Sequence, residues 1–197
     1  NKVGEGAEVV TFVGADDYYF GKQQGKLLVE AIGDSGKVAL IMGQLGTSAQ
    51  ILRKKGLDDY LKDYPNIKIV TSVSDDWDSA KALANTQDIL SRYPKGQLDA
   101  IVCQGPEAVP GAKYSKQAGR TEIRWVLGDY PKDVRDAVKD GTVYGTVNQD
   151  PYPQAVEALH MASLYLKGEK SKIPAPNYFL ELPLITIKNV DDYPPAW

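Results

Sequence analysis

Asp17 follows Gly14-Ala15-Asp16, and Asp129 follows Leu127-Gly128. Each is a carboxylate just past an apolar run. Such a group can move a proton, or it can accept hydrogen bonds from ligand hydroxyls. Nothing in the surrounding sequence raises either pKa, which favours the binding role. Gln149, after Thr146-Val147-Asn148, adds an amide that both donates and accepts. Arg53 lies one and a half turns into a helix that opens at Gly43–Ser48. Its guanidinium is either a donor fork for hydroxyls and carboxylates or a surface charge like its solvated neighbours Lys54 and Lys55. Trp77 ends another apolar run. It can stack on the CH face of a sugar or pack as a plain edge residue.

Other chemistries find less support. Gly43-Gln44-Leu45-Gly46-Thr47-Ser48 lacks the Gly-Lys-Ser/Thr ending of a phosphate loop, so a tight turn with Thr47 or Ser48 as N-cap is favoured. Asp75-Asp76-Trp77-Asp78 has neither the central Gly nor the distant Glu of a calcium loop, and Asp78 reads as an N-cap. Cys103 and His160 are single residues of their types, so internal disulfides, CxxC zinc sites and a histidine cage are all excluded. A Ser-His-Asp triad would have to run through His160. That residue borders the Ala155/Ala158/Leu159/Ala162/Leu166 stripe, where a half-buried structural histidine is expected. Cys103 is expected to be a small buried hydrophobe. The sequence calls for no cofactor and no metal, and it does not read as an enzyme.

Charge narrows the partners. Lys and Arg total 23 against 26 Asp and Glu, a net charge of −3. That mild acidity argues against bulk binding to nucleic acid, which needs a basic face to displace counterions, and gives no support for binding an anionic membrane surface. The apolar fraction of 43% is too high for a disordered chain. The apolar runs are too short to span a bilayer.

Two kinds of segment must position these residues. β-branched runs predict strands at Val9–Val13, Lys37–Met42, Ile67–Val73, Leu98–Val102, Ile123–Leu127 and Val143–Val147. Helical spacing predicts a first helix through Phe20, Leu27, Leu28 and Ala31, stopped at Gly33. A second runs through Leu57, Tyr60, Leu61 and Tyr64 to Pro65, and a third through Ala80, Leu83, Ala84 and Leu90 before Pro94. Pro106–Ala118, Pro131–Lys139 and Pro153–Lys167 follow, each ending near a glycine. This alternation predicts an α/β fold: a parallel sheet with helices on both faces. Ligands of such sheets sit beyond the carboxyl ends of the strands, where the five residues above fall. Phe179–Ile187 reads as one late strand.

The ordered set of turns resembles the periplasmic sugar-binding proteins of the ribose-binding type. It comprises Gly14–Asp17 with Gly21, Gly36-Lys37-Val38, Gly43–Ser48 with Arg53 and Gly56, and Asp75–Asp78. Tyr93-Pro94 with Leu98–Ile101, Gly111-Ala112, Ala118–Arg120, Gly128-Asp129, Asp140-Gly141, Thr146–Pro151 and Leu166–Gly168 complete it. The resemblance covers almost the whole chain. It implies two α/β lobes of the type I periplasmic-binding-protein fold with a sugar clamped between them, the second lobe nearly complete and the first mostly missing. Asp17, Arg53, Asp129 and Gln149 would be polar sugar ligands, and Trp77 the aromatic wall. One departure bears on ligand identity: Gly105-Pro106 stands where the family usually carries Asn-Asp.

The resemblance also divides the chain. Residues 1–14 would hold the last strand of the first lobe, 15–147 the second lobe, 148–178 a return helix of the first lobe, and 179–197 a crossover and tail. A start at Asn1, with no signal peptide in view, is expected of a mature, processed or excised segment of a precursor that carries one. The Ala155/Leu159/Ala162/Leu166 stripe would then lie bare, unless a second chain supplies the missing lobe, a second copy covers it, or those segments pack differently from the family; half a clamp should bind sugar weakly or not at all. The implied function is the solute-binding component of a sugar or polyol ABC importer, partnered by a membrane permease. The implied location is periplasmic or extracellular, lipid-anchored in a Gram-positive host. The alternative is the effector-sensing domain of a transcription regulator or membrane sensor of the same fold.

Overall fold

The computed structural model describes residues 6–197. Val9–Val13, read as the first strand, narrows to β1 (Phe12–Gly14). There follow α1 (Asp17–Ile32), β2 (Ser35–Met42), α2 (Ser48–Leu61), β3 (Asn66–Ser74), α3 (Ser79–Arg92), β4 (Ala100–Cys103) and α4 (Val109–Gln117). The chain continues through β5 (Arg124–Gly128), α5 (Lys132–Lys139), β6 (Gly145–Val147), α6 (Pro151–Leu166), β7 (Asn177–Phe179) and β8 (Leu184–Thr186).

The main sheet is six-stranded, ordered β3-β2-β4-β5-β6-β8. Every pairing is parallel except that of β8, which runs antiparallel to β6. Strand alternation divides the core between two faces. Val38 and Leu40 point to one side with Phe20, Leu27, Leu28 and Leu57, so α1 and α2 cover it. Ala39 and Ile41 point to the other with Ala82, Ile89, Ala112 and Val134, so α3, α4 and α5 cover that. Helices therefore lie on both faces, as the sequence predicts.

Local chemistry sets the helix boundaries. Asp16, Thr47, Asp78 and Asp150 are N-caps whose side chains accept from amides of the first turns of α1, α2, α3 and α6. Gly33, Gly119, Gly141 and Gly168 follow helices with φ between 73° and 80°, where a side chain is disfavoured. Among the described residues no helix is long and apolar enough to cross a membrane.

Four expectations need correction. The late strand is two strands: β7 pairs parallel with β1, and β8 joins the main sheet. Pro183 lies between them as the chain passes from one sheet to the other, and its carbonyl accepts from Asn148 N. The main sheet is not wholly parallel, because β8 returns antiparallel on its edge. The third helix buries Ala82, Thr86 and Ile89 instead of the stripe through Ala80 and Ala84, which are exposed; Thr86 packs against α4, where a Cβ at Gly111 would lie 2.3 Å from its Oγ1. Finally, His160 is exposed. It borders a face that nothing among the described residues covers: Leu159 is 73% exposed and Leu166 85%.

Candidate functional site

Arg53 is the hub of the carboxyl ends of the strands. Its placement follows from two glycines. A Cβ at Gly21 on α1 would lie 2.0 Å from the Arg53 carbonyl oxygen, and one at Gly56 on α2 would lie 2.0 Å from that of Tyr18. Only glycine at both positions lets α1 and α2 cross so closely. The crossing sets the guanidinium over the Phe20 ring, 3.8 Å from its centroid.

The Arg53 side chain is 4% exposed as a residue, so the surface reading of its spacing fails. Nε donates to Asp17 Oδ1 at 2.9 Å, Nη1 to the Gln104 carbonyl at 2.7 Å, and Nη2 to Gln149 Oε1 at 3.2 Å. The planar fork is thus fixed from three directions. Trp77 stands 5.8 Å from the guanidinium carbon, within cation–π range.

Trp77 is held by a strained turn. Asp76 and Trp77 have φ of 54° and 63°. Buried Asp75 stabilises the turn by accepting from Trp77 N through Oδ1 at 2.9 Å. The indole lies where a side chain at Gly43 would be, since a Cβ there would meet Cζ2 at 2.0 Å. The Gly43–Ser48 segment is the tight turn anticipated. Gly43 N donates to Gln104 Oε1 and Gly46 N to Gln50 Oε1, while Thr47 is the N-cap.

Asp129 also takes a left-handed backbone, with φ of 60°. Gly128 before it packs so tightly that a Cβ would lie 2.2 Å from the Gln104 carbonyl. Burial pushes the Asp129 carboxyl up to about 6; Arg53 opposes this and Asp17 adds to it. Its Oδ1 is buried without a hydrogen-bond partner, as is Oδ1 of Asn148.

The structure therefore brings Asp17, Arg53 and Gln149 into direct contact, sets Trp77 beside them, and places Asp129 within their electrostatic reach. Sequence reading gave no role to three further residues. Gln104, fully buried, ties Gly43 to α2 by donating from Nε2 to the Gln50 carbonyl at 3.0 Å. Asn148 offers an unused acceptor. Glu107 is pushed up to about 7 by burial, with Asp75 and Asp129 adding to the shift. The only signal for these three was their position just after strands.

Among the described residues, Asp75, Cys103 and Glu107 hold donor atoms within 4.8 Å of one another. Burial pushes the Cys103 thiol far up, and the thiol donates to Asp75 Oδ2 at 3.5 Å. Cys103 is buried and free, as expected of a small hydrophobe.

Hydrogen-bond donors and acceptors beside an aromatic ring, at the carboxyl ends of a parallel sheet, are suited to holding a hydroxylated molecule. Known proteins are similar to the chain over most of its length. Residues 1–170 match the family model of the periplasmic binding protein domain. The chain is 33% identical over 177 residues to the xylitol-binding protein of Mycolicibacterium smegmatis, covering 89% of this chain and 50% of that protein. It is 32% identical over 168 residues to the ribose import binding protein of Haemophilus influenzae, covering 84% and 56%. The chain spans about half the length of the curated relatives it matches. Among solved structures, it superposes with a TM-score of 0.85 and 28% identity on an ABC transporter periplasmic solute binding protein of Actinobacillus succinogenes with bound D-allose, covering 93% of this chain and 63% of that one. A solute binding protein of Agrobacterium vitis bound with α-D-tagatopyranose gives 0.86 and 26%, covering 96% and 63%.

Proposed function

Because the chain belongs to the periplasmic binding protein domain family, we propose that it forms one wall of a cleft that holds a monosaccharide or polyol for an ABC importer and leaves it chemically unchanged. The observation that carries this reading is the Arg53 hub, with Asp17 and Gln149 fixed on it and Asp129 Oδ1 and Asn148 Oδ1 left as buried acceptors without donors. Ligand hydroxyls would supply those donors. Trp77 would stack on the CH face of the ring or chain. Asp17, Arg53, Trp77, Asp129 and Gln149 are accordingly the proposed ligand contacts, joined by Asn148.

Movement follows from the topology. Residues 15–147 would form one lobe, and residues 1–14 with 148–178 part of the other. Residues 179–197 would return as crossover and tail, and the hinges would lie near 14–16, 147–150 and 176–181. β1 and β7 support this, because they form a separate parallel pair. The partners would be a membrane permease and a second chain or copy covering the bare α6 stripe. The location would be the periplasm or cell exterior, with a lipid anchor in a Gram-positive host.

The test is a thermal-shift titration with xylitol, D-ribose and D-allose, on this chain within a protein of its relatives' full length. A bound ligand stabilises by RT ln(1 + [L]/Kd). A rise with at least one of them, lost in Asp129→Ala and Asn148→Ala, is expected. The absence of any rise with all three would overturn the reading.

A further inference from the structure

Trp77 also lines an open hollow of about 460 Å³ that adjoins the Arg53 hub. Three strand-ending loops build both places. The loop after β3 gives Trp77, which stands beside Arg53 and is a wall of the hollow. The loop after β4 gives the Gln104 carbonyl to Arg53, and then Pro106 and Glu107 to the hollow. The loop after β5 carries Asp129, and Pro131, two residues on, lines the hollow. A ligand seated on the hub and longer than it therefore extends into this space.

The facing wall is Trp197, and its place is built. The chain leaves β8 at the far end of the sheet, where Thr186 pairs with Gly145 at the start of β6, and comes back to the carboxyl ends as a strap. The carbonyl of buried Val190 accepts from the Tyr130 hydroxyl at 2.9 Å, and Asp191 pairs with Arg135 and Lys139. Ala196 N then donates to the Tyr130 carbonyl at 2.8 Å, and Lys132 N to the Trp197 carbonyl at 3.0 Å. The strap is thus tied to Tyr130, the neighbour of Asp129. Its backbone is fixed, yet the Trp197 residue stays 57% exposed. An indole held open at the rim of a polar site is suited to the CH face of a carbohydrate. Glu107 gives the hollow a polar end. Burial dominates its carboxyl, and the charges of Asp75, Asp129 and Arg53 also act on it, which puts it within electrostatic reach of the hub. Ionised or protonated, a carboxyl can bond a hydroxyl.

We propose that Trp197 and Glu107 select a carbohydrate of more than five carbons: its extra arm leaves the Arg53 hub past Trp77 and enters the hollow, with carbon against Trp197 and hydroxyl on Glu107. This rests on the function proposed above and adds the size of the ligand and the residues that read it.

The probes are three pairs whose members differ by one carbon and its hydroxyl: D-ribose and D-allose, D-xylose and D-glucose, xylitol and D-glucitol. Calorimetric titration is run on this chain within a protein of its relatives' full length. In each pair that binds, the six-carbon member should bind about tenfold tighter or more, the effect of one added carbon in a fitted pocket. Trp197→Ala and Glu107→Ala should each lower the six-carbon affinity several-fold more than the five-carbon affinity, so that the ratio collapses. Trp197→Phe and Glu107→Gln should keep part of the ratio, because a ring and a hydrogen-bonding group remain. Tighter binding of the five-carbon members would overturn the proposal, as would a ratio that Trp197→Ala leaves unmoved. An equal loss for both members of a pair would assign Trp197 to closure of the lobes, and that too would overturn it. Binding by none of the six would take down the function proposed above along with this inference, so the two failures are told apart.

Discussion

Arg53 reaches Asp17 across the α1–α2 crossing, Nε to Oδ1 at 2.9 Å, with both side chains almost fully out of water. A buried pair of this kind is weak evidence for added stability, but breaking it from one side is costly, about 3–5 kcal/mol. Arg53→Met should therefore destabilise the chain by that order. The double variant Arg53→Met/Asp17→Asn should recover a measurable part, because it removes the charge that lost its guanidinium. Urea unfolding of the two variants checks this; a double variant no better than the single would refute it.

The same crossing depends on absent side chains. Gly56→Ala places a Cβ 2.0 Å from the Tyr18 carbonyl oxygen, and backbone on both sides resists the shift. A loss of about 1–3 kcal/mol is expected from such overpacking. Because α2 must move away from α1, Arg53 should leave Asp17 as well. Ligand affinity should then fall more in Gly56→Ala than in an equally destabilised variant of the far helix, such as Val134→Ala on α5. Thermal melting and calorimetric titration of both variants separate the two effects.

Asp129 gives a pH signature. Its carboxyl is raised to about 6 in the folded chain by burial, against an ordinary value of about 3.9 when unfolded. The folded state thus holds the proton longer, and this group's contribution to stability is lost as pH rises from about 4 through 6. Glu107, raised to about 7 also by burial, extends the decline. Asp129→Asn should gain relative to wild type as pH goes from 4.5 to 8, and chemical denaturation across that range reads it. A constant difference between the two proteins would contradict the assignment.

Much of this was legible because it is local. Strand-ending runs, the N-caps Thr47 and Asp78, the stop at Gly33 and the apolar stripe of α6 are written in neighbouring residues; that the stripe lies bare followed only from the resemblance. What escaped depends on separation in space. Whether Arg53 is solvated turns on Gly21, far from it along the chain. The α3 face was misread because Thr86, a polar residue, is buried with its Oγ1 donating to the Ala82 carbonyl. The division of Phe179–Ile187 between two sheets is decided by which edges are free, and hydrophobic pattern carries no such information. Asn148 and Glu107 resemble any polar loop residue until their unpartnered buried oxygens are seen.

Trp77 offers the sharpest test of the cleft wall. Its indole occupies the space over Gly43, and its left-handed backbone is held by Asp75. Gly43→Ala drives a methyl group into the ring, so the indole must swing away from Arg53. Asp75→Ala removes the acceptor of the Trp77 amide and leaves the turn free to relax. Both changes should shift tryptophan emission to the red and weaken sugar or polyol binding. Trp77→Phe should keep part of that affinity, because a smaller ring still stacks. If the indole is instead only an edge residue, emission will still shift but affinity will not change, and the aromatic wall must then be sought elsewhere.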